Sequence, residues 1–421
     1  MVSVRPLALA LVTPLVATLT VTAPAAAQGT FTWNNSGDNA WLTAANWSPS
    51  TNFPGTTNNA GIANNNAGDT AAFASTMPSG NIAGIDMGAG GAAGQLQLGA
   101  ITFSNNSGGL TIGNSSPVSL GTLRLNGADP LDPTILSNTS GSQTLTIPNS
   151  VGGGAQPLIV LLGSLPNGSG NVVASTGSTI NISALISDGG NNKGITVPGG
   201  GMVSLSGANI YSGTTLVTGG TLQVANAPGT SATGSGMVGV AAGARLSGTG
   251  TITTGLGVDV GGKLQPGTDA AAGTLTVNGN AQITGASSHY IWSLSNAGTG
   301  FTSAPADGAS DASGQSKLVV NGNLNFQPGT IDVTGLGATG FDNTKFYSWT
   351  VATGAPAAIG SQPTFNTTGL NTGGGTFFLS SPNGTSVFVS FSPVPEPASI
   401  LLCCAAVAGL TGYVRRRRAA R

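Results

Sequence analysis

Few side chains in this chain of 421 residues could perform acid–base, nucleophilic or metal chemistry. It contains one histidine, His289, one glutamate, Glu396, and two adjacent cysteines, Cys403 and Cys404, in an apolar stretch. A lone histidine beside Tyr290 is typical of a packed or surface strand residue rather than a general base. The His and Cys residues have no zinc-binding spacing. We therefore expect no catalytic residue, no cofactor and no metal.

Aspartates are the remaining candidates for chemistry. Asp129 and Asp132 form one close pair in the sequence, and Asp307 and Asp311 form another. Paired carboxylates could hydrolyse a glycosidic bond, but aspartate is also favoured in solvated turns, which is the interpretation we prefer. The loop Asp188–Asn192 lacks the acidic density of a calcium site.

The composition excludes some classes of partner. Charged residues make up 6% of the chain, against a usual ~25%. Residues 28–393 carry six basic residues and twelve aspartates, a formal charge of −6. No basic patch is available for phosphate contacts, so we expect no nucleic-acid binding.

The N-terminal segment 1–27 has the features of a secretory signal peptide. Arg5 provides an early positive charge, an apolar stretch follows, and Ala25 and Ala27 fit a cleavage site before Gln28. A membrane anchor is the alternative, but the apolar stretch is short and contains proline. We therefore predict export.

Residues 28–94 open with three of the five tryptophans, Trp33, Trp41 and Trp47. Aromatic bulk at the end of a repeat protein favours a cap over its open core. The alternative is a platform on which sugar rings stack. Residues 58–94 are rich in Asn, Gly and Ala and are predicted to be loop or loosely ordered coils.

From residue 95 onward, short segments alternate between aliphatic and polar residues and are separated by Gly, Asn or Ser, which predicts β-strands. One signature recurs at Gly121-Thr122-Leu123, Gly220-Thr221-Leu222, Gly273-Thr274-Leu275 and Gly329-Thr330-Ile331. Its spacing suits stacked coils of roughly 18–27 residues. We predict an all-β solenoid over 95–288, with the last coils, a C-terminal cap and a linker over 289–393 and a hairpin over 377–391. Thr249, Thr251, Thr253 and Thr254 hint at a flat, ice-binding face.

The segment 205–280 is the clearest repeat. Its matching pieces are Leu205–Asn209, Tyr211–Gly213, Gly219–Val224, Leu246–Gly250 and Leu264–Gly267. It resembles the autotransporter-associated β-strand repeat, also called the passenger-associated transport repeat, although Gly213-Thr214-Thr215 departs from the usual Gly-Gly-Thr. The resemblance implies a right-handed parallel β-helix and carries over no catalytic residue.

The C-terminal segment 394–421 combines three features in a short tail. They are Val394-Pro395-Glu396-Pro397, the apolar run Ala398–Val414, and the cluster Arg415, Arg416, Arg417 and Arg418. As a transmembrane helix the run would span about 25 Å, just short of a ~30 Å hydrocarbon core. The arginines favour a cytoplasmic end. An ordinary single-pass anchor is the alternative.

This tail resembles the PEP-CTERM sorting signal, also named after ice-binding proteins. The resemblance implies recognition by an exosortase-type membrane protease, with anchoring in the inner membrane before processing at the motif. We therefore predict a non-enzymatic structural or adhesive β-solenoid of the cell surface or extracellular matrix, with exopolysaccharide as a candidate partner. The alternatives are a β-helix that binds or cleaves polysaccharide and, less favoured, an ice-binding protein.

Overall fold

The computed structural model describes residues 29–34, 41, 43–50, 53–57, 69–74, 82–85, 94–104, 109–114, 121–127, 133–150, 157–163, 165 and 168–394. The predicted signal peptide 1–27 and everything from Pro395 onward lie outside these residues. Within them the protein is all-β, with a large and mostly parallel sheet. This agrees with the alternating pattern of the sequence and is compatible with a β-helix.

The strands are short except for two of 16 residues. The first group, with the 3-10 helix Ala44–Asn46, comprises β1 (Thr30–Trp33), β2 (Trp47–Ser48), β3 (Thr56–Thr57), β4 (Thr70–Phe73), β5 (Ile82–Ile85), β6 (Gly94–Leu98), β7 (Ala100–Phe103), β8 (Leu110–Asn114), β9 (Gly121–Leu125), β10 (Thr134–Asn138) and β11 (Thr144–Ile147). The second comprises β12 (Leu158–Leu162), β13 (Ser169–Ala174), β14 (Thr179–Ile182), β15 (Leu185–Ser187), β16 (Gly194–Val197), β17 (Met202–Leu205), β18 (Thr215–Val217), β19 (Thr221–Val224), β20 (Val238–Val240), β21 (Arg245–Gly248) and β22 (Thr251–Thr253). The third comprises β23 (Val258–Val260), β24 (Lys263–Pro266), β25 (Thr274–Asn278), β26 (Ala281–Asn296), β27 (Lys317–Val320), β28 (Leu324–Thr339), β29 (Tyr347–Thr353), β30 (Ala357–Ile359), β31 (Thr364–Thr368), β32 (Thr376–Ser380) and β33 (Ser386–Ser392).

Parallel pairing joins these strands into successive rows. Face 1 is the row β1, β4, β7, β10, β13, β16, β18, β20, β23, β26, β28 and β30. Face 2 is the row β5, β8, β11, β14, β17, β19, β21, β24, β26, β28 and β31. The long strands β26 and β28 contribute to both faces. Smaller parallel rows are β6–β9–β12–β15 and β22–β25–β27–β29. Parallel pairing thus runs from β4, before residue 94, to β28, after residue 288.

The register aligns buried side chains from one strand to the next. Leu222, Leu246, Leu264, Tyr290 and Ile331 occupy one column of face 2 and are at most 2% exposed. Because side chains alternate across a strand, the leucine of each Gly-Thr-Leu signature points into the core. The recurrent signature therefore marks the inward position of a strand, as the sequence predicts.

Buried asparagines connect adjacent coils where the chain turns. Asn209 accepts a hydrogen bond from the Ile186 amide (2.8 Å) and donates one to the Ala232 carbonyl. These contacts span 23 residues each, within the predicted coil length. Elsewhere the register repeats at longer intervals, since Leu145 pairs with Ile180, 35 residues further along the chain. The predicted repeat of roughly 18–27 residues is therefore exceeded outside the central region.

The three N-terminal tryptophans form a buried cluster rather than a binding platform. Trp33, Trp41 and Trp47 are at most 2% exposed and pack around Phe73. The ring centroids of Trp41 and Trp47 lie 4.8 Å apart. The indole of Trp47 donates to the Trp41 carbonyl. Rings buried in this way cannot stack on sugars, so the sugar-platform alternative is wrong.

Near the end of the described chain, β32 and β33 form the predicted antiparallel hairpin, with Phe377 opposite Phe391. Phe391 and Tyr347 are buried in a second aromatic cluster that also contains Trp349. Clusters of buried aromatic side chains thus occur near both ends of the described residues.

The asparagine contacts give a first prediction. Replacing Asn209 with Ala leaves a buried amide and a buried carbonyl unpaired, and we expect a loss of about 2–4 kcal/mol in the free energy of unfolding. The matched control is Asn321→Ala, since Asn321 makes an exposed side-chain bond to Asn278. Urea and thermal unfolding followed by circular dichroism would compare them. Equal stability of the two variants would contradict the assigned role of Asn209.

Candidate functional site

The residues of the predicted sorting and cleavage sites lie almost entirely outside the described part of the chain. These are Ala25, Ala27 and Gln28 at the N-terminus, and Pro395, Glu396, Pro397 and the arginine cluster at the C-terminus. Val394 is described and is 51% exposed. It follows β33 by two residues, so the predicted motif begins directly after the last strand. Among the described residues, no helix is long and apolar enough to cross a bilayer.

His289 is not isolated, because its ring is hydrogen-bonded to a carboxylate. Its Nδ1 lies 2.8 Å from Asp332 Oδ2, and Asn366 donates to Asp332 Oδ1 at 3.0 Å. The three residues come from the neighbouring strands β26, β28 and β31. Both side chains of the pair are partly exposed, at 32% and 21%. The pair therefore joins strands on the surface of face 2.

Two cations, Arg245 and Lys263, stand in register with His289. Arg245, Lys263 and His289 occupy the same position of β21, β24 and β26. Like charges directly opposite each other destabilise a sheet, and here Asp269 binds Arg245 through both carboxylate oxygens, at 2.7 and 3.2 Å. The hydrogen bonds from Arg245 lower the pKa of Asp269. A local carboxylate thus compensates the charge of Arg245 beside Lys263, and Asp332 binds the ring of His289.

The structure describes one of the two predicted aspartate pairs, Asp307 and Asp311. Asp129 and Asp132 lie outside the described residues. Asp311 accepts a hydrogen bond from the Thr350 amide at 2.7 Å, and Asp307 is an exposed turn residue. Asp311 thus fixes the backbone of a neighbouring strand, in keeping with the turn interpretation. No group of three or more His, Cys, Asp or Glu residues close enough to hold a metal occurs in the described part.

Asp188 is a buried link between coils. It is 2% exposed, and its Oδ2 accepts hydrogen bonds from the amide and hydroxyl of Ser212, at 3.1 and 2.6 Å. The amides of Gly190 and Lys193 also donate to this carboxylate. Burial opposes ionisation, but the hydrogen bonds from Ser212, Gly190 and Lys193 outweigh it and lower the pKa of Asp188. The protein's own donors therefore surround the carboxylate.

The four threonines proposed for an ice-binding face do not share one face. Thr251 and Thr254 are each 5% exposed, whereas Thr249 and Thr253 face solvent. The hydroxyl of Thr254 accepts hydrogen bonds from the amides of Leu256 and Gly257 and so stabilises a turn. The prediction of a flat threonine face at these positions is therefore wrong.

The structure also contains a cleft that sequence reasoning missed. The cleft is an open depression of about 290 Å³ on face 1. Asp259, Gln282 and Asn325 line it from the same register position of β23, β26 and β28. Met237 and Leu256, 38% and 75% exposed, line it at the turns before β20 and β23. We call these five residues the face 1 cleft.

One polar atom of the cleft has unused hydrogen-bonding capacity. The Oδ1 atom of Asn325 is buried and has no hydrogen-bond partner among the described residues. A buried acceptor left unpaired costs about 1–3 kcal/mol. The alternation in the sequence could have placed Gln282 and Asn325 on the outside of their strands. It could not show that Asp259 aligns with them, because coil length sets that register.

The chain matches no protein-family model, and no curated protein matches it. The likeness of residues 205–280 to a passenger repeat and of the tail to a sorting signal therefore remains a prediction from the residues themselves.

The lowered pKa of Asp188 gives a second prediction. Its carboxylate stabilises the fold above the unfolded-state pKa of ~3.9, and this contribution is lost as pH falls through the lower folded-state pKa. We expect Asp188→Asn to lower the free energy of unfolding by about 1–3 kcal/mol at neutral pH. The difference from the parent protein should shrink as the pH falls below ~4.

Urea unfolding at a series of pH values would measure this difference, with Asp307→Asn as the control at an exposed aspartate. A gap between Asp188→Asn and the parent protein that is independent of pH would contradict the role given to the ionised carboxylate.

Proposed function

We propose that this protein is an exported, non-enzymatic β-solenoid with a structural or adhesive role at the cell surface or in the extracellular matrix. The observation that carries the proposal is the tail 394–421, which joins a Pro-Glu-Pro motif, an apolar run and an arginine cluster directly to the end of a strand-rich body. The body itself is poor in charge, as suits a fold held mainly by packing and backbone hydrogen bonds.

The proposed fold is a right-handed parallel β-helix. Successive parallel pairing along faces 1 and 2 supports it, as does the likeness of residues 205–280 to a passenger repeat. The aromatic cluster of Trp33, Trp41 and Trp47 would act as its N-terminal cap. Terminal repeats need such a covering, because their core face has no neighbouring coil on one side.

The proposed route begins with removal of the signal peptide after Ala27 and passage of the body across the inner membrane. Ala398–Val414 would then hold the protein as a transmembrane helix, with Arg415–Arg418 on the cytoplasmic side. An exosortase-type protease would recognise Val394-Pro395-Glu396-Pro397 and cleave near it. The body would then leave the membrane for the surface or the matrix.

Of the alternative functions, binding of polysaccharide has a specific observation in its favour, the face 1 cleft. Cleavage of polysaccharide would require a second carboxylate beside the first. Asp259 is the single ionisable residue among the described residues that line this cleft. We therefore propose no hydrolytic activity.

The sorting proposal gives a third prediction. In a bacterium that carries an exosortase, mass spectrometry of the mature protein should find no peptide that ends at Arg421. Glu396→Ala should keep the intact C-terminus and remain in the inner-membrane fraction, because the recognition motif is lost.

The control is Cys403→Ala combined with Cys404→Ala, which retains the motif and the apolar run and should be processed like the parent protein. An intact parent chain that persists in the inner membrane would refute the processing step. Loss of processing in the control would instead point to the cysteines.

A further inference from the structure

We propose that the face 1 cleft binds an uncharged polysaccharide chain that lies along the direction in which the strands stack. The inference depends on the described residues of face 1 alone. It is independent of the sorting tail, so the failure of one proposal leaves the other standing.

The first argument is the spacing of the polar groups. Asp259, Gln282 and Asn325 lie on three consecutive strands at one register position. Neighbouring strands are ~4.8 Å apart, which is close to the advance of one sugar unit in an extended chain. Consecutive sugars could therefore each meet an equivalent polar side chain.

The second argument is the chemistry of those groups. The amides of Gln282 and Asn325 both donate and accept hydrogen bonds, and the Asp259 carboxylate accepts them. Sugar hydroxyls also donate and accept hydrogen bonds, so a hydroxyl can act as donor or as acceptor toward the two amides and as donor toward the carboxylate.

The third argument is the apolar edge of the cleft. Met237 and Leu256 are among the exposed large hydrophobic side chains of the described residues. Binding sites commonly combine such apolar surface with a few placed polar groups. The C–H face of a pyranose ring could pack on Leu256 while its hydroxyls bind the polar column.

The same observations disfavour other polymers. An acidic polysaccharide would meet the Asp259 carboxylate, and the described lining offers no cation to bind it. A peptide that adds to a sheet needs a free strand edge. The strands β23, β26 and β28 are each paired on both sides, so their main-chain groups are already used.

Affinity gel electrophoresis of the full-length protein in mild detergent tests this inference. The gels contain dextran, galactomannan or hydroxyethyl cellulose as neutral probes, and alginate as the acidic probe. We expect at least one neutral polymer to retard the protein more than alginate does. The double variant Asp259→Ala, Gln282→Ala should raise the apparent Kd about tenfold, because two hydrogen bonds to the ligand are lost.

The matched double control is Asp307→Ala, Gln223→Ala, which changes the same residue types away from the cleft. Leu256→Ala and Ile210→Ala form a second matched pair, since both side chains are exposed but only Leu256 lines the cleft. Binding retained by both controls and weakened by both cleft variants supports the inference.

Three results would overturn the inference: no retardation by any neutral probe, stronger retardation by alginate, or equal weakening by the control variants. Thermal melts by circular dichroism would identify any variant that unfolds. If one of the two cleft variants unfolds, the binding result of the other cleft variant decides the test.

Discussion

Hydrogen bonding between successive parallel strands is the constraint on which the rest of this structure depends. A chain with 6% charged residues and 68 glycines has few strong side-chain contacts with which to hold a fold. Its backbone groups pair instead with the coil before and the coil after. Where the chain turns and regular strand pairing stops, buried polar side chains form hydrogen bonds with the backbone amides and carbonyls instead. Asn209 does this at one turn and Asp188 at another, so each connects coils that are distant in sequence.

The same stacking dictates where charge can be placed. A residue on one strand stands next to its register partner on the next strand, so a cation in one coil contacts whatever the next coil holds there. Arg245, Lys263 and His289 share such a column. Asp269 and Asp332 bind the outer two. The low charge of the body thus has a physical advantage, because fewer columns require compensation of this kind.

The sequence pattern correctly predicted those features that depend on residues close together in the chain. Alternation correctly indicated which side chains of a strand face inward, as Leu222 and Leu246 show. The turn residues between Phe377 and Phe391 correctly predicted the hairpin, because a hairpin depends on contacts that are close in sequence. The aromatic cluster was also foreseeable, since three large side chains in a short segment need burial. These successes required no knowledge of how one coil aligns with the next.

Coil length and register could not be predicted in the same way, because they depend on how each loop is accommodated. The sequence does not distinguish Thr251 and Thr254 from Thr253, yet the first two are buried and Thr253 is exposed. The face 1 cleft depends even more on register, since Gln282 and Asn325 are 43 residues apart and become neighbours only through the stacking of β26 on β28. Parallel pairing of this kind repeats one surface position over several successive strands. A ligand with its own repeat along the same direction gains one contact for each coil it crosses, so weak individual contacts can add up without a deep pocket.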